Sequence, residues 1–484
     1  MKWRACLGED GDVLGGLQVN GGGVGGGGRL ESNFGGDGLV ESGMRAYFVC
    51  LWLSLYGLAL ADWPGFRGPE GDGISRDEAS VPATWSESEH LIWKVDLPGW
   101  GSSSPIVYGG KVFVTCYSGY GTVEGSGTRR GGPSVEAGDP GTLKRHVLCF
   151  DAATGERLWE ETVAATGEED EYRGYLTEHG YASATPVTDG QRVYVVFGKS
   201  GAYAFDFESG ETLWAASLGE ESNSKRWGSG SSPILWGDYV IVTASSEDRS
   251  MKWLNRETGE EVHEKEAGMF DLAFGTPAVV TLPDGEEEIV MGVPEEVWAF
   301  DPETAKLKWY ASIPMNGNLS PSIVSDDKGV VYVYGGYRTK GSMAIRAGGD
   351  GDVSDSRVIW KSPESSYIPS PVWHEGHLYW INERGKVTCA DAATGEVVNS
   401  VMIDGDLAGG PKSRSVYASM VLADGKLYGT TRVSGTFVFE ATPELKQLAQ
   451  NVFAGDESDF NGSVAVSDGR IYLRSNEALY CVGE

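Results

Sequence analysis

The 484-residue sequence is poor in the residues that most often announce chemistry. It holds six cysteines and six histidines, with no CxxC, CxxCH or adjacent-cysteine pair. Zinc, haem c and redox-disulfide sites therefore lack their signatures. Only Cys116, Cys149, Cys389 and Cys481 lie beyond residue 61, too few for a disulfide scaffold. Three of these, Cys149, Cys389 and Cys481, occupy one equivalent apolar position, as small buried hydrophobes do. Basic residues are also scarce: 39 Lys and Arg against 70 Asp and Glu give a formal charge of -31. That balance argues against nucleic acid and anionic membranes as general partners. No long amphipathic helical segment is present. The apolar run 46–60 is short for a transmembrane helix, and an uncleaved anchor is the alternative to a cleaved leader. It follows Met44 and Arg45 and ends on "ALA" at 59–61, which is the pattern of a signal peptide. Residues 1–43, with fifteen glycines, read as a disordered or untranslated leader. The expectation is a leader (1–43), a signal peptide (44–61), an N-terminal extension (62–89) and a folded region (90–484), periplasmic or secreted, with no membrane span after cleavage.

What the sequence does have is repetition. "SSSPIVYGGKVFVT" at 102, "SATPVTDGQRVYVVF" at 183, "GSSPILWGDYVIVTA" at 230, "GTPAVVTLPDGEEEIVMG" at 275, "LSPSIVSDDKGVVYVYG" at 319 and "PSPVWHEGHLYWIN" at 369 align on Ser-Pro or Thr-Pro. "YASMVLADGKLYGTT" at 417 and "GSVAVSDGRIYLRS" at 462 continue the series without the proline, making eight units. A Gly-rich, charged insertion at 117–145 lengthens the first interval and reads as an exposed loop. Each unit predicts a short strand, a tight turn, an alternating strand and a third strand. A turn such as "DAATGERLW" at 151 then leads to a fourth strand bearing a Trp. Asp receives backbone N–H groups in that turn, Gly adopts positive φ, and Trp159, Trp214, Trp309 and Trp360 pack neighbouring sheets together. The predicted fold is all-β: an eight-bladed β-propeller of four-stranded antiparallel blades. The last unit lacks a fourth strand, and a spare one at 91–96 precedes the first unit and can close the ring. Seven blades would follow if one unit without proline were misread.

The "SP … DG.VY … YAFDA.TGE.LW" pattern resembles the PQQ-like quinoprotein repeat family, which includes BamB-like outer-membrane assembly propellers, over roughly residues 90–484. "DWPGFRGPEGDGIS" at 62 and "HGYASATPVTDG" at 179 are closest to exported planctomycete-type members. The resemblance implies a propeller fold that serves enzymes and scaffolds alike. Enzymatic members place PQQ and Ca²⁺ over the channel with a catalytic Asp. No local match places that Asp or the calcium ligands here, which weighs against an active PQQ dehydrogenase and leaves no cofactor or metal assigned.

Propeller ligands usually meet loops around one mouth of the channel. Here the segments entering the inner strands carry His179, Tyr181, Lys225, Arg226, Trp227, Asn318, Tyr367, Arg414, Tyr417, Asp459 and Asn461. The basic side chains suit a carboxylate or phosphate and the aromatics a ring or sugar. The same residues would serve equally as ion-pair partners of the surplus acids, as rim packing and as turn caps. His374 and His377 flank a hairpin turn without a third ligand, and His263 stands in a Trp position, which reads as structural. The expectation is a non-enzymatic scaffold binding a protein, peptide or glycan partner. The alternative is a cofactor-dependent oxidoreductase with its site over the channel.

Overall fold

A computed structural model describes residues 62–122, 136–165, 168–405, 407 and 414–484. The expected leader and signal peptide, the middle of the 117–145 insertion and part of the loop before Arg414 lie outside the described residues. Among the described residues no helix is long and apolar enough to cross a membrane.

Eight antiparallel sheets follow one another along the chain. Blade 1 comprises Ile106–Tyr108, Lys111–Ser118, Lys144–Asp151 and Arg157–Ala164. Blades 2 to 7 occupy 187–216, 234–266, 278–312, 324–362, 372–402 and 421–451. Blade 8 contains Ala465–Ser467, Arg470–Arg474 and Ala478–Gly483, and its outer strand is Leu91–Asp96. Trp93 opposes Cys481 across that last pair and Asp96 opposes Ala478, so the first strand of the propeller closes the ring as the repeat predicts. Blade 4 departs from the four-stranded rule: Gly351–Asp352 adds a short parallel strand beside Trp309 and Tyr310.

The turn chemistry follows from the residues. Asp151 Oδ1 accepts the N–H of Ala153 and Thr154 at 3.1 and 2.8 Å, and Gly155 at φ 74° completes the turn. Asp206, Asn255 and Asp391 repeat the arrangement. The four cysteines are free and buried. Cys149, Cys389 and Cys481 each stand opposite the Trp position of the adjoining strand, where a small side chain leaves room.

The extension has a defined path. Trp63 exchanges backbone hydrogen bonds with Val107 of blade 1 at 2.7 and 2.9 Å, and Thr188 N–H of blade 2 donates to Pro64 O. Ser75 and Leu422 of blade 7 are joined by an N–H donated to the Leu422 carbonyl at 2.8 Å, and Trp85 N–H reaches Asn451 Oδ1 at 2.8 Å. Arg67 is fully buried and donates to the carbonyls of Pro371 (2.5 Å), Asp72 (2.7 Å), Gly71 and Ser370. Burial lowers its pKa to about 10, which leaves it charged at neutral pH. Gly73, at φ 82°, passes so close that a Cβ there would meet Arg67 Nη2 at 2.7 Å and Met420 O at 3.2 Å. Residues 62–76 thus bind blades 1, 2, 6 and 7 at the hairpin end of the inner strands and cross the channel there, beside a cavity of about 920 Å³ that they line with blades 2 to 7.

Candidate functional site

One hydroxyl in every repeat builds the waist of the channel. The backbone N–H of Ser104 donates to Thr185 Oγ1 (2.9 Å), Thr185 to Ser232 (3.0 Å), Ser232 to Thr276 (3.0 Å) and Thr276 to Ser322 (3.0 Å). Ser322 donates to Ser370 (2.9 Å), Ser370 to Ser419 (2.9 Å), Ser419 to Ser463 (3.0 Å) and Ser463 back to Ser104 (3.0 Å). The circuit is closed through all eight blades, with a side-chain oxygen satisfying one buried N–H at each step. Proline follows the hydroxyl in five blades, whereas Ser322, Ser419 and Ser463 precede Ile, Met and Val. Blade 5 is therefore aligned on Ser322, two residues beyond the Ser-Pro pair that the sequence pattern selects.

Above this ring lies a cup of about 200 Å³ with Phe66 of the extension among its lining residues. Its aromatic lining also includes Tyr175, Trp227, Phe274, Tyr367 and Tyr417. Tyr175 and Trp227 meet edge to face at 4.5 Å between centroids, and Trp227 stacks with Phe274 at 6.3 Å. Phe66 also lines the cavity on the extension side, so its ring floors the cup, which opens at the opposite mouth.

His179 is buried and locked. Its Nε2–H donates to Trp227 O at 2.8 Å, so Nδ1 accepts the Ser183 hydroxyl at 2.5 Å. Desolvation by burial depresses its pKa to about 4, and the imidazole is neutral at ordinary pH. Such a ring positions the Trp227 loop and is a weak proton acceptor. Asn318 accepts the Tyr367 hydroxyl at 3.2 Å, and Asn461 donates to Glu178 O at 3.0 Å. Arg432 bridges the carboxylates of Glu178 and Asp459, with its guanidinium 4.9 Å over the Tyr417 ring. Arg414 stands 4.4 Å over Tyr367 and also meets Tyr175 and Tyr337.

The sequence-predicted set divides accordingly. His179, Trp227, Asn318, Tyr367, Tyr417 and Asn461 line the cup, Arg414 covers Tyr367 at its rim, and Asp459 lines an adjoining cleft with Arg432. Tyr181 does not join them. It is buried beside Tyr117, Tyr120 and Tyr172, and its hydroxyl donates to Asp170 O at 2.6 Å. An aromatic next to a mouth loop points inward when the adjoining blade offers such a cluster. Lys225 and Arg226 are exposed on their loop and are absent from the cup lining. Phe66, Tyr175, Glu178, Phe274 and the hydroxyl ring were not selected from sequence. The recurring Ser or Thr was the available signal, but proline was the more conspicuous member of the pair. Beside Asp459, Asp456 accepts the Ser475 and Tyr480 hydroxyls at 2.5 and 2.7 Å.

The fold and its repeat define a PQQ-like β-propeller repeat protein. More particularly, the profile of the family described as "Outer membrane protein assembly factor BamB" matches residues 143–401, more than half of the chain, and the chain belongs to that family. Among solved structures, BamB from Moraxella catarrhalis matches with a TM-score of 0.55 and 12% identity, covering 81% of this chain and 97% of its own. The quinohemoprotein alcohol dehydrogenase of Pseudomonas putida HK5 matches at TM-score 0.46 and 12% identity, over 87% of this chain and 80% of its own. At 12% identity the likeness to the Moraxella catarrhalis protein is one of fold. Comparison with curated protein sequences returns no match.

The cup does not fit PQQ with calcium. Glu178 is the one carboxylate among its described lining residues, and it is held by Arg432, whose guanidinium also holds Asp459. A hard cation asks for several free oxygen ligands. A tricarboxylate quinone asks for cations around its carboxylates, and the described lining holds no Lys or Arg.

Proposed function

We propose that this protein is an exported, non-enzymatic propeller that binds a protein, peptide or glycan partner at the open mouth of its channel. The observation that carries the reading is the aromatic cup. An aromatic rim and a Phe66 floor enclose a space too small for a folded domain and suited to one side chain or one ring. The family supports it, because its description is that of an outer membrane protein assembly factor. Export is supported by the signal-peptide pattern at 44–61, and places the protein in the periplasm or outside the cell. The extension and the propeller (62–89 and 90–484) act as one unit in this reading, the first crossing the channel of the second. Reconstitution with PQQ and Ca²⁺, read by calorimetry and by a dye-linked oxidation assay, tests it. No tight binding and no turnover are expected; tight binding with turnover would replace this reading with that of an oxidoreductase.

A further inference from the structure

The reading of the cup as a binding site extends to the chemistry of its ligand: we infer that it takes the terminal sugar of a glycan, a neutral pyranose ring with hydroxyls around its edge. This inference rests on the proposed function above. Eleven of the 23 lining residues are Ser or Thr. In the eight that form the waist, each hydroxyl accepts one N–H, which polarises its own O–H as a donor. Among the described residues none of these eight protons is given to a protein acceptor. A complementary acceptor stands in the same wall. Asn461 is 9% exposed and spends its amide N–H on Glu178 O, while its buried Oδ1 has no partner.

Charge and shape narrow the class further. The lining holds no Lys or Arg among the described residues and its Glu178 carboxylate is answered by Arg432, so a charged group deep in the cup meets no counter-ion, Arg414 standing at the rim over Tyr367. A strand-like peptide needs backbone N–H groups along an edge, and those at the waist are already donated to the hydroxyls. A pyranose instead offers edge hydroxyls that both donate and accept. Its C–H face packs on aromatic rings, here Phe66 beneath and Trp227 at the rim.

The purified full chain is titrated with methyl glycosides of glucose, galactose, mannose and N-acetylglucosamine by saturation-transfer NMR and calorimetry. Inorganic phosphate and a pool of tetrapeptides are the comparators. At least one glycoside is expected to saturate with a Kd on the order of 1 mM, the range open to a ligand of this size. Asn461→Ala and Ser322→Ala should each weaken it by about tenfold. Thermal melts establish that these variants fold; Trp227→Ala, outside the hydroxyl ring, is the second probe should Ser322→Ala prove unstable. Absence of glycoside binding to folded protein overturns the proposal. If peptides bind in a Trp227-dependent manner while glycosides do not, the sugar assignment fails and the cup remains a binding site. If no probe binds in a Trp227-dependent manner, both readings fail.

Discussion

Two neighbouring blade interfaces solve one packing problem in different ways. Between blades 2 and 3, Trp214 lies on Gly259, where an added Cβ would meet Trp214 Cδ2 at 2.6 Å, and its Nε1–H donates to Arg256 O at 3.1 Å. Trp93 on Gly155, Trp159 on Gly210 and Trp360 on Gly395 repeat this contact. Between blades 3 and 4 the Trp position holds His263 and the turn residue is Ala305, at φ 54°. The missing bulk has moved one strand inward: Trp253 stands opposite His263 and packs with Phe300 and Ala305. Cys or Ala faces the ring wherever Trp keeps its place in the other blades, as Ala204 faces Trp214. The three positions therefore change together, because the space between two sheets is filled once. The cost of the exchange is an orphaned donor, since Trp253 Nε1 is buried without a partner.

Deleting residues 91–96 should have the largest effect, because it removes the outer strand of blade 8 together with Trp93 and opens an edge. Thermal melts should show a fall on the order of 15 °C or outright loss of folding; an unchanged melting temperature would break the closure account. Trp214→Ala and Trp253→Ala should each cost roughly 3–5 kcal/mol in denaturant titrations, one interface being as full as the other.

Glu247 adds a pH dependence at the mouth side of blade 3. It is buried, accepts the Ser229 hydroxyl, and desolvation raises its pKa from 4.5 to about 7. The folded state therefore holds a proton that the unfolded chain releases between these values. Its stabilising contribution is full below pH 4.5 and is lost as pH rises through 7. Relative to wild type, Glu247→Gln should gain about 3 kcal/mol between pH 4.5 and pH 8, and a flat difference would contradict the burial argument.

The exchange itself is tested by moving the blade 2–3 solution into blades 3 and 4. Trp253→Ala and His263→Trp should each destabilise alone and Ala305→Gly should be near neutral, its relief at φ 54° offsetting the lost methyl, while the triple variant recovers about 1–3 kcal/mol relative to additivity. The smallest effect separates the two indoles. Trp214→Phe should cost about 1 kcal/mol more than Trp253→Phe, because only Trp214 loses a hydrogen bond.

The sequence pattern carried the blade count, the closing strand and the turn chemistry, since each is a local motif recurring at a period. It misplaced blade 5 because Pro321 drew the alignment away from Ser322. The hydroxyl ring was invisible as a ring: each partner lies one repeat away, and the last step runs from Ser463 back to Ser104. Six of the eleven predicted mouth residues line the cup, since entry into an inner strand places a loop at the mouth. Whether a side chain there faces the lumen depends on its neighbours, as Tyr181 illustrates by turning into a cluster of tyrosines. Phe66 and Arg67 could not be placed because nothing local tells which end of the channel an extension covers.

The central claim, that one end of the channel binds while the extension crosses the other, is tested most directly by photo-crosslinking in the full chain. Benzoylphenylalanine is placed at Ile368 in the cup or at Trp373 on the opposite face, and the protein is irradiated in its producing cells. The account predicts discrete adducts from position 368 that are absent from position 373. Adducts from position 373 alone, or equally from both, would contradict it.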